Sequence, residues 1–250
     1  MVSILINGAC GKMGRALAEA AAAQGVSVVA GVDRYAAGAT AYYPLYENIN
    51  DCKLAVDVVV DFSSTAALTP LLAFCTARRL PIVLCTTGFS ETQLVEIESA
   101  ATAIPIFRSA NMSLGVSVKK AAAVLEGYDI EIVERHHNRK VDAPSGTALM
   151  LADAAASARS QPSEYIYDRH SVRQPRGCDE IGISSVRGGT IVGEHEVIFA
   201  GRDEVIELRH SAQSREIFAS GALRAARFLA APGQRPGLYS MSDLVASVAE

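Results

Sequence analysis

The chain has 250 residues, half of them hydrophobic and 20% charged, which is enough apolar material for one large domain or two modest ones and too apolar for disorder. A formal net charge of −4 argues against a nucleic-acid footprint, and no apolar run approaches the roughly 20 residues of a membrane helix. The five cysteines, at 10, 52, 75, 85 and 178, form no Cys-x-x-Cys pair, and no cysteine or histidine set has ligand spacing. No metal is expected, and a reducing cytoplasm suits the chain better than secretion.

The opening run VSILING (2–8) predicts a buried strand and not a signal peptide, because it lacks a basic leader and a cleavage site. KMGRALAEAAAAQG (12–25) is rich in helix formers, with Gly25 as its C-cap. Between them, GACGKMG places Gly8, Gly11 and Gly14 where a strand meets a helix N-terminus. Glycines there permit a tight turn and a close approach of phosphate to backbone N–H groups, and the helix adds its partial positive charge. The Gly-x-x-Gly-x-x-Gly order is a variant of the dinucleotide fingerprint. VSVVAGVD (26–33) is the next strand. It ends in Asp33, where a carboxylate would accept hydrogen bonds from an adenosine ribose. Arg34 beside it would attract a 2′-phosphate, so the pair predicts use of both NADH and NADPH; as a solvated loop charge it would do little.

LAVDVVVDFS (54–63), PIVLCTTG (81–88) and IPIF (104–107) read as further strands. TAALTPLLAFCTARR (65–79) reads as a helix with Pro70 in its first turn or at a bend, and Ser90 and Gln93 form a capping box for another. Alternating strands and helices imply a parallel sheet covered on both faces. Thr86, Thr87 and Asn111 lie in turns after strands and are candidates for ribose or nicotinamide contacts, although turn chemistry alone would also explain them.

After residue 127 the pattern changes. YDIEIVERHH (128–137) alternates with Ile130 and Ile132 on one face. ISSVRGGTIVGEHEVIFAG (183–201) and DEVIELRHSA (203–212) read as consecutive antiparallel strands with glycine-rich turns, flanked by helices over 144–158 and 215–230. This describes an α+β substrate domain on an open sheet. Residues 159–180 are polar and read as a long loop.

The stretch ERHHNRKVDAPSGTA (134–148) crowds two histidines and Lys140 ahead of a helix start. His136 and His137 point to opposite sides of an extended backbone, so they do different jobs. Ser145 is a natural N-cap, presenting the N–H groups of Gly146 and Thr147 at a helix N-terminus. Histidine, lysine and N–H groups together favour an anionic ligand, a small carboxylate with more than one carboxyl group. A histidine can supply the proton that completes a hydride reduction.

These residues resemble the 4-hydroxy-tetrahydrodipicolinate reductase family of diaminopimelate and lysine biosynthesis. GACGKMG, TTGF, ANMSLGV, VRGGTIVGEHEVIF and above all ERHHNRKVDAPSGTA match its motifs across nearly the whole chain. The resemblance implies an NADH- or NADPH-dependent enzyme. It would reduce a cyclic, unsaturated dicarboxylate, dihydrodipicolinate formed from 4-hydroxy-tetrahydrodipicolinate, to tetrahydrodipicolinate.

By the same resemblance His136 is the general acid/base and Lys140 the proton donor, while His137, Gly146 and Thr147 bind the substrate carboxylates. Gly8, Ala9, Cys10, Gly11, Lys12 and Met13 would line the dinucleotide, with Asp33 and Arg34, Cys85, Thr86 and Thr87, and Ser109, Ala110, Asn111 and Met112. It also implies an α/β fold: a Rossmann-type parallel sheet over 1–108 plus about 217–250, and a second α+β domain on an open mixed sheet over about 109–216 that builds a homotetramer. Cys10, Lys12, Asp33 and Met112 depart from the family's commoner residues, the first predicting a cofactor site sensitive to thiol reagents, and residues 35–55 look short.

Two other readings compete. One is a different two-domain Rossmann oxidoreductase acting on a semialdehyde or sugar; an aldehyde dehydrogenase of that sort would need a nucleophilic cysteine, and no cysteine here has histidine or basic company in sequence. A non-catalytic dinucleotide sensor would need the glycine loop but neither His136 nor Lys140.

Overall fold

The computed structural model describes residues 1–108, 114–214 and 216–248. The chain forms two compact units, one of Met1–Ser109 with Arg215–Glu250 and one of Ala110–Ser214.

The first unit begins with β1 (Val2–Asn7), whose Ile4, Leu5 and Ile6 are all fully buried. Neighbours that point to opposite faces are therefore both covered, as a parallel sheet between helical layers requires. α1 (Lys12–Ala21) follows, extended by a 3₁₀ turn that Gly25 closes in the left-handed region at φ +68°. β2 (Val26–Val32) pairs parallel with β1, and the two-residue β3 (Leu45–Tyr46) edges the sheet. β4 (Val58–Asp61) pairs with the other side of β1. α2 (Leu68–Arg78) carries Pro70 in its first turn, where the missing N–H has no intrahelical acceptor to lose. β5 (Ile82–Leu84) leads to α3 (Glu91–Ala101), which starts on the Ser90–Gln93 capping box that the sequence predicts, and then to β6 (Pro105–Arg108).

The second unit holds α4 (Leu114–Val124), β7 (Asp129–His136), α5 (Gly146–Ala156), β8 (Glu164–Ile166), β9 (Glu180–Arg187), β10 (Glu194–Ala200) and β11 (Val205–Ser211). The chain then returns to the first unit through α6 (Glu216–Leu229), β12 (Gly237–Tyr239) and α7 (Met241–Val248).

The first sheet has the order β12-β6-β5-β4-β1-β2-β3, all parallel, so the strand order reverses between β1 and β4. That reversal is the switch point at which open α/β sheets bind ligands. The second sheet is mixed, in the order β11-β10-β7-β9-β8. Its apolar face, with Ile130, Ile132, Ile181, Ile183, Val197 and Phe199, packs on Val118 and Ala122 of α4 and on Leu151 and Ala152 of α5.

Three expectations need correction. β9 and β10 are not hairpin partners: β7 lies between them, parallel to β9 and antiparallel to β10. The Gly188–Gly193 stretch therefore crosses over β7, and its glycines mimic a hairpin turn only in sequence. Residues 159–180 are not wholly loop, because β8 pairs parallel with β9 at the sheet edge. The helix over 215–230, read from the pattern alone as flanking the second sheet, packs in the first unit as the family resemblance implies.

Candidate active site

In the first unit the glycine turn is a packing device. Gly8 has φ +84°, and a Cβ there would stand 2.7 Å from the Phe62 carbonyl oxygen. A Cβ on Gly14 would stand 2.3 Å from the Gly8 carbonyl oxygen, so α1 can start this close to the turn only without one. The loop N–H groups are mostly spent internally. Those of Gly8 and Ala9 donate to Val32 O, and that of Gly11 donates to Gly8 O. The Cys10 N–H donates to Asp33 Oδ2 at 2.9 Å. The anion donors are then the first-turn N–H groups of Lys12 and Met13, which have no intrahelical acceptor. α1 has no side-chain cap and no acidic residue in its first turn to compete for them. A turn that Cβ atoms would fill, leading to an uncapped helix start, fits a pyrophosphate.

Asp33 has a structural part in the loop. Its second oxygen accepts from the Tyr35 N–H at 3.0 Å, so the carboxylate braces the glycine loop against the end of β2. Each oxygen keeps a lone pair for a ribose hydroxyl. Arg34 is exposed, with its guanidinium 4.8 Å from the Tyr35 ring centroid. Gly8, Cys10, Gly11, Asp33 and Arg34 all line one cavity of about 510 Å³, and Phe62 and Ser63, which sequence reasoning missed, close its other side.

Thr86 does not point a free hydroxyl outward. It donates to Asp61 Oδ2 at 2.7 Å, while Asn7 and Ser63 bond the other oxygen at 2.8 and 2.6 Å. Burial pushes this carboxyl up against those hydrogen bonds. Thr87 is exposed, and the Cys85 thiol is pushed well up, by burial and then by Asp61. Burial and Asp33 also raise the Cys10 thiol, so less of it is thiolate than in a free cysteine. Ser109, Ala110, Asn111 and Met112 lie outside the described residues.

In the second unit the alternation of β7 aims Ile130, Ile132, Glu134 and His136 at the interior. Glu134 is completely buried, and His136 is 9% exposed. His136 Nδ1 lies 2.6 Å from Glu134 Oε2. Arg187, at the end of β9, grips both carboxylate oxygens at 2.8 and 2.7 Å. Burial would raise the Glu134 carboxyl, but its hydrogen bonds from Arg187 and His136 hold it down at about 2. Burial lowers the His136 imidazole, against the upward pull of Glu134 and with help from Lys140 and Arg187.

Ser145 caps α5 as the sequence predicts, its hydroxyl accepting from the Ala148 N–H at 3.2 Å. The same hydroxyl lies 3.0 Å from His195 Nε2, and the Ser145 N–H donates to Glu134. The helix start that carries Gly146 and Thr147 is thus tied to the carboxylate that holds His136. His195 is buried, its imidazole pushed down to about 3, by burial first and by His136 second. Its ring meets that of His136 edge to face at 5.2 Å.

His137 leaves the interior face and is half-buried, with Nδ1 lacking a hydrogen-bond partner among the described residues. Lys140 is ion-paired: its Nζ bonds both oxygens of Asp142 at 2.7 and 2.8 Å. His136, Lys140, His137, Gly146 and Thr147 all belong to the segment that runs from β7 into α5. Sequence reasoning missed Glu134, Arg187 and His195. The first was within reach, since an acid two residues before His136 on a strand of period two must share its face.

A parallel sheet with a glycine turn at its strand-order reversal, in a chain with a separate mixed sheet that carries a buried Glu-His pair, is the architecture of two-domain dinucleotide-linked oxidoreductases. Two family models match, "Dihydrodipicolinate reductase, N-terminus" over residues 2–112 and "Dihydrodipicolinate reductase, C-terminus" over residues 112–245. The chain belongs to the dihydrodipicolinate reductase family.

It is 52% identical to a 4-hydroxy-tetrahydrodipicolinate reductase of Caldanaerobacter subterraneus subsp. tengcongensis, over 98% of each chain. It is 45% identical to one of Clostridium novyi, over 99% of each. Among solved structures it resembles the dipicolinate-bound dihydrodipicolinate reductase from Paenisporosarcina sp. TG-14, with a TM-score of 0.73, 26% identity and coverage of 96% of this chain and 97% of that one.

Proposed function

We propose that the protein reduces 4-hydroxy-tetrahydrodipicolinate, by way of dihydrodipicolinate, to tetrahydrodipicolinate with NADH or NADPH. The observation that carries this is the Glu134–His136 pair tied through Ser145 to the start of α5, inside the signature that the family shares. The dinucleotide belongs on the α1 N-terminus: Lys12 and Met13 bind its pyrophosphate, and Asp33 its ribose. When bound, the reduced nicotinamide supplies the hydride. Gly146, Thr147 and His137 take the substrate carboxylates, which suits the N-terminus of α5. His136 moves the proton. Lys140, steadied by Asp142, supplies a second donor and neutralises substrate charge.

The test mixes the protein with pyruvate, aspartate semialdehyde and the upstream synthase, with NADH and NADPH in parallel. Synthase-dependent loss of nicotinamide absorbance is the expected result; binding of dinucleotide without oxidation would favour the sensor reading. In the same assay Arg34→Ala should raise KM for NADPH about tenfold more than KM for NADH, because only the 2′-phosphate needs the guanidinium. Equal effects on both would reduce Arg34 to a bystander.

We also propose a cytoplasmic homotetramer. All five cysteines are unpaired, and the sheet face opposite α4 and α5 exposes Val205, Glu207 and Arg209 along β11 and Val186 on β9. Sedimentation equilibrium should return four times the mass of one chain; a monomer would refute the assembly.

A further inference from the structure

We propose that Glu134, clamped by Arg187, is a positioning residue that keeps neutral His136 as its Nδ1–H tautomer, so that protons enter and leave the ring at Nε2. The inference rests on the reading of His136 as the proton-transfer group.

Besides His136, the Glu134 carboxylate is bonded by Arg187, the Ser145 N–H and the Ser185 hydroxyl. Arg187 Nη2 and the Ser145 N–H bond Oε1 at 2.7 and 3.1 Å, and Arg187 Nη1 bonds Oε2 at 2.8 Å. A guanidinium and an amide cannot accept, and the Ser185 hydroxyl bond holds the carboxyl down, as a bond donated to a carboxylate does. The carboxylate therefore acts only as an acceptor, and the imidazole nitrogen 2.6 Å from Oε2 must carry hydrogen. That leaves Nε2 bare. The edge beside it is kept clear by Gly193, where a Cβ would stand 3.1 Å from Nε2. His195 supports the ring from the side, edge to face. The charged and titratable groups around His136 are Glu134, Lys140, Arg187 and His195. Arg187 offsets the charge of Glu134, so the carboxylate orients the ring without locking it as imidazolium.

A merely structural Glu134 would leave the tautomer unspecified. The experiment is long-range proton–nitrogen correlation on the full chain labelled with ¹⁵N-histidine, above the pKa of His136. The expected result in the wild type is a pyrrole-like Nδ1 and a pyridine-like Nε2. An Nε2–H tautomer there overturns the proposal, and this holds even if Glu134 variants fail to fold.

Glu134→Gln should mix the tautomers and lower kcat by about 10²-fold or more, with KM for the dinucleotide changed by less than about twofold. Unaltered kcat in a folded Glu134→Gln also overturns it. His136→Gln in the same assay separates the two readings. Full turnover there removes the proton-transfer role itself, whereas lost turnover there with an unaffected Glu134→Gln removes the positioning role alone.

Discussion

His136→Gln is expected to lower kcat by about 10²- to 10⁴-fold, the span that a positioned general acid or base contributes. Glutamine keeps a hydrogen-bonding group near Glu134 but has no nitrogen that titrates. Lys140→Ala should lose a comparable amount, because it removes both a donor and the charge that Asp142 holds in place. Dinucleotide affinity should change little in either variant. The residues assigned to the pyrophosphate and ribose belong to the first unit, while His136 and Lys140 belong to the second. Steady-state kinetics with fluorescence titration of NADH checks both halves. An equal fall in cofactor affinity would mean that these variants disturb the fold and would sink the assignment of roles.

The largest effect on stability is expected from Arg187→Leu. It leaves the fully buried Glu134 carboxylate with no guanidinium, and breaking a buried pair from one side costs about 3–5 kcal/mol. The pKa gives a similar magnitude. A carboxyl held at about 2, against an ordinary 4.5, carries about 3 kcal/mol of stability. The sign is that of a depressed acid. The contribution is complete above pH 4.5 and drains away as pH falls towards 2. Thermal unfolding of Arg187→Leu at pH 7 should show Tm lowered by on the order of 10 °C.

The double variant Glu134→Leu with Arg187→Leu should recover much of that loss while staying inactive, since an apolar pair removes the stranded charge but orients no imidazole. Arg209→Ala is the contrast. Its bond to Glu194 is largely exposed, and its loss should cost less than about 1 kcal/mol. If the two arginine variants melted alike, the account of Glu134 would be wrong.

What the sequence discloses follows the range of the interactions. The β1–α1–β2 unit is legible because strand, glycine turn and helix are local patterns, and the capping box at Ser90 is local as well. β3, β8 and β12 are two or three residues long and lie at or near sheet edges, too short to show a period. The partners of His136 divide in the same way. Glu134 is two residues away and visible in the alternation of β7. Arg187 and His195 arrive by strand pairing, one through β9 and the other through β10, with β7 between them. No spacing in the chain encodes that a glycine-rich segment crosses over a strand instead of turning beside it. The bracing of the glycine loop by Asp33 is hidden for the same reason.

The first unit is also completed late in synthesis. Its sheet gains β12 beside β6, and its helix layer gains α6, only after the whole second unit has left the ribosome. Ala222, Leu223, Ala226 and Leu229 of α6 are buried, so until then the surface they cover stands bare. A nascent chain that halts near residue 110 thus presents an open sheet edge and an apolar flank, the species that chaperones bind. The unit that carries the glycine turn therefore cannot close before the second unit has been made.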